Sequence, residues 1–146
     1  MKVDIKVSEN IKEPYAEIYT SEITKEITEI THIITEYGEQ NLLIGKKEER
    51  MVVLKPEEIY IVRVEQEKVF LVTENETYRT TKRMKDVLVS LGSDFMQVSK
   101  SGAINLKYLE SVEPYFNGVM KLNMKNGDSE YISRKYVPEL KKYLGL

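Results

Sequence analysis

The chain has 146 residues, 41% hydrophobic and 32% charged, which is one globular domain's worth with room for a small appendage. Zero cysteines and a single histidine exclude disulfides, thiolate metal sites and cysteine nucleophiles, and remove most histidine-based metal and triad chemistry. Charge is uneven: residues 1–40 carry a net −5, residues 41–78 a net −2 and residues 79–146 a net +5, so the basic back half points to an anionic partner, of which nucleic acid is the commonest.

Lys2, Asp4 and Lys6 alternate with Val3, Ile5 and Val7, the period-2 mark of a half-buried strand rather than the unbroken apolar stretch of a secretory leader. No segment approaches the roughly 18 apolar residues that a membrane span requires. A soluble, cytoplasmic protein is expected. A second short strand is expected over Tyr15–Tyr19. Thr20 or Ser21 then caps a predicted helix over about 21–37, with Ile23, Ile27, Ile30, Ile34 and Tyr37 on one face and Gly38 at its end. Residues 1–40 thus read as an acidic strand–helix extension, a contact surface for a partner or a second copy.

From Asn41 short strands take over. Leu42–Ile44 and Met51–Leu54 flank a charged turn, Pro56-Glu57 precedes Ile59–Val64, and Val69–Thr73 and Thr77–Thr80 are joined through Glu74-Asn75-Glu76. Thr80 or Thr81 is placed to cap a helix with Met84, Val87, Leu88 and Leu91 as its apolar stripe and Gly92 as its stop. Phe95–Val98 is a strand, and Asn117-Gly118 joins Leu109–Tyr115 to Val119–Met124 as a hairpin. Asn126-Gly127 makes a second such turn before Ser129–Ile132. A basic amphipathic helix closes the chain, with Val137, Leu140, Tyr143 and Leu144 facing inward and Pro138 near its start. The reading for 41–146 is a mostly β (α+β) domain of about eight strands with an inserted helix.

Enzymatic chemistry finds little support. No glycine-rich phosphate loop is present. His32 lies off the apolar stripe of its helix and reads as a solvent-exposed residue. Glu110/Glu113 and Asp128/Glu130 sit beside turns, where solvated carboxylates are ordinary. No catalytic, metal or cofactor site is expected.

Basic and small hydroxyl residues gather instead at strand ends. Arg79, Lys82, Arg83 and Lys85 bracket the start of the inserted helix; Ser99-Lys100-Ser101 follows one strand, with Asn105 and Lys107 close behind; Ser133-Arg134-Lys135 follows another. Hydroxyl and ammonium groups suit phosphate oxygens, and an arginine can pair with both acceptors of a guanine edge.

At these residues the chain resembles a known family. The stretch Phe95-Met96-Gln97-Val98-Ser99-Lys100-Ser101-Gly102-Ala103-Ile104-Asn105-Leu106-Lys107-Tyr108-Leu109 is similar to the centre of the LytTR-type DNA-binding domain, which reads F-x-R-V-H-[KRN]-S-x-x-V-N-L-x-x-I. Tyr131-Ile132-Ser133-Arg134-Lys135-Tyr136 resembles that family's S-R-x-Y tail. The likeness covers roughly 41–146 and is to stand-alone LytTR regulators of Gram-positive-type bacteria. It implies an elongated β-sheet fold with short helices and duplex DNA binding by loop side chains that enter successive major grooves, with no helix-turn-helix. Lys100 matches the base-contacting position, Ser101 the motif serine that faces the phosphate backbone, and Arg134 the second groove-entering residue. A third contact loop falls in the hairpin between 59–64 and 69–72, where Lys68 is the candidate. Ser99, Lys82, Arg83, Lys107, Ser133 and Lys135 complete the candidate set. Asn105 matches the motif asparagine and is expected to hold a turn through side chain–backbone bonds. The resemblance further implies paired direct repeats bound by two copies, a homodimer, and a small membrane protein that restrains the regulator.

Three positions depart from the motif: Gln97 replaces its arginine, Ser99 its histidine, and Gly102 follows the motif serine, where it is expected to loosen the loop. The other class left open is a β-rich protein–protein interaction module that docks through residues 1–40 and binds no DNA.

Overall fold

The structure is a computed structural model that describes residues 1–38 and 42–146, with all of their side chains except those of 36–38. The chain divides into two compact units, Met1–Gln40 and Asn41–Leu146. The turning point expected at residues 40 and 41 lies outside the described residues.

In the first unit, residues 1–24 form neither strand nor helix. The strands expected over Val3–Val7 and Tyr15–Tyr19 are therefore absent. Val3, Ile5 and Val7 are 78%, 87% and 93% exposed. Alternation makes a segment fit for a sheet, but a strand also needs a neighbour to pair its N–H and C=O groups, and none is supplied here. The helix α1 spans Lys25–Gly38 and starts later than expected. Its first turn is capped by Thr24, whose Oγ1 accepts from the Ile27 N–H at 3.3 Å, while Thr20 is engaged with Glu22. Thr28, Thr31 and Thr35 each return their hydroxyl to the carbonyl four residues earlier, which is how a helix tolerates so many β-branched polar residues. Tyr37, expected on the apolar face, has a side chain outside those described.

Among its described residues the second unit holds ten strands. They are β1 (Leu43–Lys47), β2 (Arg50–Leu54), β3 (Ile61–Glu65), β4 (Lys68–Val72), β5 (Thr77–Thr80), β6 (Phe95–Ser99), β7 (Gly102–Asn105), β8 (Leu109–Pro114), β9 (Met120–Met124) and β10 (Ser129–Ile132). Seven form one antiparallel sheet in the order β2-β1-β5-β4-β3-β7-β6, and three form a second in the order β10-β9-β8. Helix α2 (Met84–Leu91) and helix α3 (Val137–Tyr143) complete it. The mostly β expectation holds.

Alternation along the strands sorts the core into two layers. Val62, Val69, Leu71 and Ala103 point to one face of the large sheet and pack with Val87 and Leu91 of α2. Ile61, Val72, Met96, Val98 and Ile104 point to the other and pack with Leu122, Met124 and Ile132 of the small sheet and Leu140 of α3. Each layer removes fully buried Leu, Ile and Val side chains from water, at about 1.5–3 kcal/mol apiece, which is what holds the sheets together.

Three sequence expectations need correction here. Thr80 and Thr81 do not cap α2: Thr80 is still inside β5 and buried, and the helix begins after Arg83 without a side-chain cap. Tyr143 and Leu144 do not face inward: they are 55% and 41% exposed, because α3 is a short helix whose contact is made by Leu140, Val137 and the preceding Tyr136. Gly102 does not loosen a loop. It is the buried first residue of β7, paired with Arg63 on one side and Ser99 on the other. A Cβ there would sit 3.2 Å from Ser99 Oγ and 3.5 Å from Glu130 Cδ, so the glycine serves close packing.

Candidate nucleic-acid interface

Sheet pairing decides which loops share an end. In the β3–β4 hairpin Glu65 opposes Lys68, and the turn residues Gln66 and Glu67 both take positive φ, as a two-residue primed turn requires. Beside it, the Val64 N–H donates to the Ser101 carbonyl at 2.8 Å, which fastens the β6–β7 turn Lys100-Ser101 to this hairpin. On its other flank β5 ends with Thr80 opposite Val69, so Lys82 and Arg83 leave the sheet at the same end. The Lys82 N–H donates to Thr80 Oγ1 at 3.3 Å.

The small sheet contributes the last loop. At the exit of β10 the Ser133 N–H donates to the Val98 carbonyl at 2.9 Å, and Ser133 Oγ donates to the same oxygen at 3.4 Å. Lys100 lies two residues beyond that junction and Arg134 one. Arg134 opens a short 3-10 turn, Arg134–Tyr136, and the Lys135 ammonium stands 5.5 Å from the Tyr136 ring centre. Four chain segments thus present Lys68, Lys82, Arg83, Lys100, Ser101, Arg134 and Lys135 at one end of the unit, all exposed.

Two of the predicted residues are brought there with an internal duty. Ser99 Oγ accepts from the Ser101 N–H at 3.2 Å and its carbonyl accepts from Gln97 Nε2 at 2.9 Å, so it shapes the turn. Ser133 ties the two sheets together. Lys107 is not brought there. The chain reverses at the Lys100-Ser101 turn, and β7 then runs back along β6 and carries Lys107 to the opposite end, where its ammonium meets Asp94 at 3.1 Å. Asn105, also at that end, is buried. Its Nδ2 donates to the Ile59 carbonyl at 3.1 Å and its Oδ1 accepts from the Lys107 N–H at 3.1 Å, the turn-holding role expected of it.

The electrostatics separate these groups. Among the described residues, Lys68, Lys82, Arg83, Lys100, Arg134 and Lys135 form no ion pair, so their charge is available to a ligand. Glu65 and Glu67 at the β3–β4 tip offset part of it. Arg63 behaves differently: its Nε binds Glu130 at 2.9 Å between the two sheets, which also gives Glu130 a structural partner. Of the other carboxylates considered, Glu113 accepts from Asn123 and Asp128 from Asn126. No cluster of metal-ligating side chains occurs among the described residues, and His32 is exposed on α1. No helix among them is long and apolar enough to cross a membrane.

Sequence reasoning missed one neighbour of this surface, the β8–β9 hairpin. Its tip carries the exposed aromatics Tyr115 and Phe116, with the Tyr115 ring 4.7 Å from that of Tyr131. The Asn117-Gly118 signal located the turn, but only the packing of Arg134 reveals what it touches.

Comparison with known proteins gives a consistent result. A family profile described as the LytTr DNA-binding domain matches residues 49–145. The chain is 21% identical over 146 residues to an uncharacterized HTH-type transcriptional regulator of Staphylococcus aureus strain NCTC 8325 / PS 47, covering 100% of this chain and 99% of that one. It is 29% identical over 100 residues to the sensory transduction protein LytT of Enterococcus faecalis strain ATCC 700802 / V583, covering 68% of this chain and 41% of that protein. A solved LytTr DNA-binding domain from Bacillus cereus has the same fold, with a TM-score of 0.68 at 18% identity over 75% of this chain and 100% of that one. The described residues contain no helix-turn-helix, since strands separate α1, α2 and α3 from one another.

Proposed function

Because the chain belongs to the LytTR DNA-binding domain family, we propose that it acts as a transcriptional regulator that grips duplex DNA with the cationic loops at one end of its sheets. The observation that carries this reading is the junction at Val98, whose carbonyl accepts from Ser133 and so sets the Lys100 and Arg134 loops side by side. In this reading Lys100 and Arg134 enter the major groove, where a bidentate arginine distinguishes guanine. Ser101, Lys68, Lys82, Arg83 and Lys135 contact phosphates and fix the orientation. Ser99 and Ser133 hold the loops in shape, and Lys107 takes no part. Two copies on a pair of direct repeats are the proposed stoichiometry. The extension 1–40, with its net −5, is left to contact protein rather than phosphate.

The test is selection of bound duplexes from a random pool, followed by titration of the recovered site over a salt series. Affinity should fall with a log–log slope of about −0.9 for each phosphate neutralised. Absence of binding to any duplex in dilute buffer would leave the protein-interaction class as the reading.

A further inference from the structure

The β8–β9 turn does more than reverse the chain. Asn117 and Gly118 adopt φ values of 51° and 78°, with the Tyr115 N–H donating to the Val119 carbonyl at 2.9 Å. Positive φ alone accounts for an Asn-Gly pair. Gly118 has a second constraint. A Cβ built on it would stand 2.9 Å from Cδ and 3.1 Å from Cγ of Arg134, well inside the roughly 3.5–4.0 Å at which carbon atoms rest. The aliphatic stem of Arg134 therefore lies directly on the bare backbone of this turn. Gly127, in the β9–β10 turn, has the same handedness at φ 90° but nothing within 4 Å of its would-be Cβ. The contact is thus a property of this turn and not of Asn-Gly turns at large.

An arginine stem has several rotatable bonds, and fixing them on binding opposes affinity. A wall against Cγ and Cδ removes part of that freedom in advance and sets where the guanidinium can point. We propose that the β8–β9 hairpin is a further element of the DNA interface, with Gly118 as a positioning residue that directs Arg134 toward the duplex. This rests on the reading of Arg134 given above.

The test uses the full chain and a fluorescein-labelled duplex recovered from the random pool, with melting temperature measured on every variant. Gly118→Ala should weaken binding severalfold. Gly127→Ala introduces the same positive-φ strain in open space and should leave affinity as it was. In an Arg134→Ala background, Gly118→Ala should weaken binding no further, because it acts through that side chain. Gly118→Asn covers the case in which alanine unfolds the turn: asparagine accepts positive φ yet still brings a Cβ, so it too should weaken binding. Wild-type affinity in Gly118→Asn, or an equal loss with and without Arg134, overturns the proposal. If Arg134→Ala itself binds like wild type, the reading of Arg134 falls and this inference with it. If Arg134→Ala weakens binding while the Gly118 variants do not, only the inference falls.

Discussion

The two ends of the seven-stranded sheet both carry cations, and they treat them in opposite ways. At the end formed by the β1–β2 and β4–β5 turns, Lys47 and Arg50 converge on Glu76 at 3.6 and 3.2 Å, and Lys107, just past the end of β7, meets Asp94 at 3.1 Å. At the other end, Lys68, Lys82, Arg83, Lys100, Arg134 and Lys135 have no such partners among the described residues. Neutralised charge at one end and available charge at the other teach that lysine and arginine content alone does not mark a binding surface. Lack of a carboxylate is not enough either, since Lys46, Lys121 and Lys125 also form no ion pair among the described residues; what distinguishes the candidate surface is that six such cations gather at one end.

The sharpest way to break this comparison is to delete one cation from each end. Arg134→Ala should lower affinity for a recognised duplex by about 1–3 kcal/mol if it pairs with a base edge, and the loss should depend on sequence. Lys100→Ala should also weaken binding, with the melting temperature of both variants unchanged because both side chains are exposed. A loss from Arg134→Ala that is equal on every duplex assigns it to the backbone. Lys107→Ala should leave DNA affinity unchanged. Comparable losses at the two ends would dissolve the distinction.

Asn105 sharpens the same contrast in stability. It is buried at the paired end and joins two chain segments through the Ile59 carbonyl and the Lys107 N–H. Asn105→Ala should destabilise the fold by about 1–3 kcal/mol in a denaturant titration, because both backbone groups lose a partner in a site with little access to water. Well below its melting temperature the variant should still bind DNA, since the loops that carry Lys100 and Arg134 are anchored through Val64 and Val98 instead. Wild-type stability would show that the two bonds hold nothing.

The same geometry explains what could be read from the sequence. Most strands were legible, because alternating apolar residues between turn signals describe a strand that really has a neighbour to pair with, on one side for the edge strands β2, β6, β8 and β10 and on both for the rest. Val3–Val7 carries an equally clean signal and forms nothing, since periodicity is silent about pairing. β7 was unreadable for the converse reason. Gly102-Ala103-Ile104-Asn105 is short, opens with glycine and is buried on both faces, so it has no alternation to show. Missing that strand is also why Lys107 looked like a neighbour of Lys100: seven residues apart in sequence, they stand at opposite ends of β7. Arg134 and Lys100 were singled out by motif, yet their proximity depends on a hydrogen bond between two sheets, which no spacing encodes.

The smallest effect concerns Glu76, the hub of the paired end. Hydrogen bonding from the Tyr78 hydroxyl, with the nearby charges of Lys47 and Arg50, holds its carboxyl below its ordinary value despite an opposing contribution from desolvation. The same bond raises the Tyr78 hydroxyl. For a carboxyl whose folded value is depressed, the native state gains stability while both states are ionised. That gain is present above the unfolded value and disappears as pH falls through the folded one. Stability should therefore decline on the acid side, and Glu76→Gln should flatten that decline by removing the titrating group while keeping an oxygen for Tyr78. The effect will be slight, since the charges are substantially exposed and solvent screens them. Urea titrations of wild type and variant at neutral and acid pH measure it. DNA affinity at neutral pH should be the same in both, because the carboxylate lies at the end whose charges are already matched. Weaker binding in Glu76→Gln would mean that the two ends are coupled through β4 and β5, and the contrast would then have to be redrawn as a single charge network.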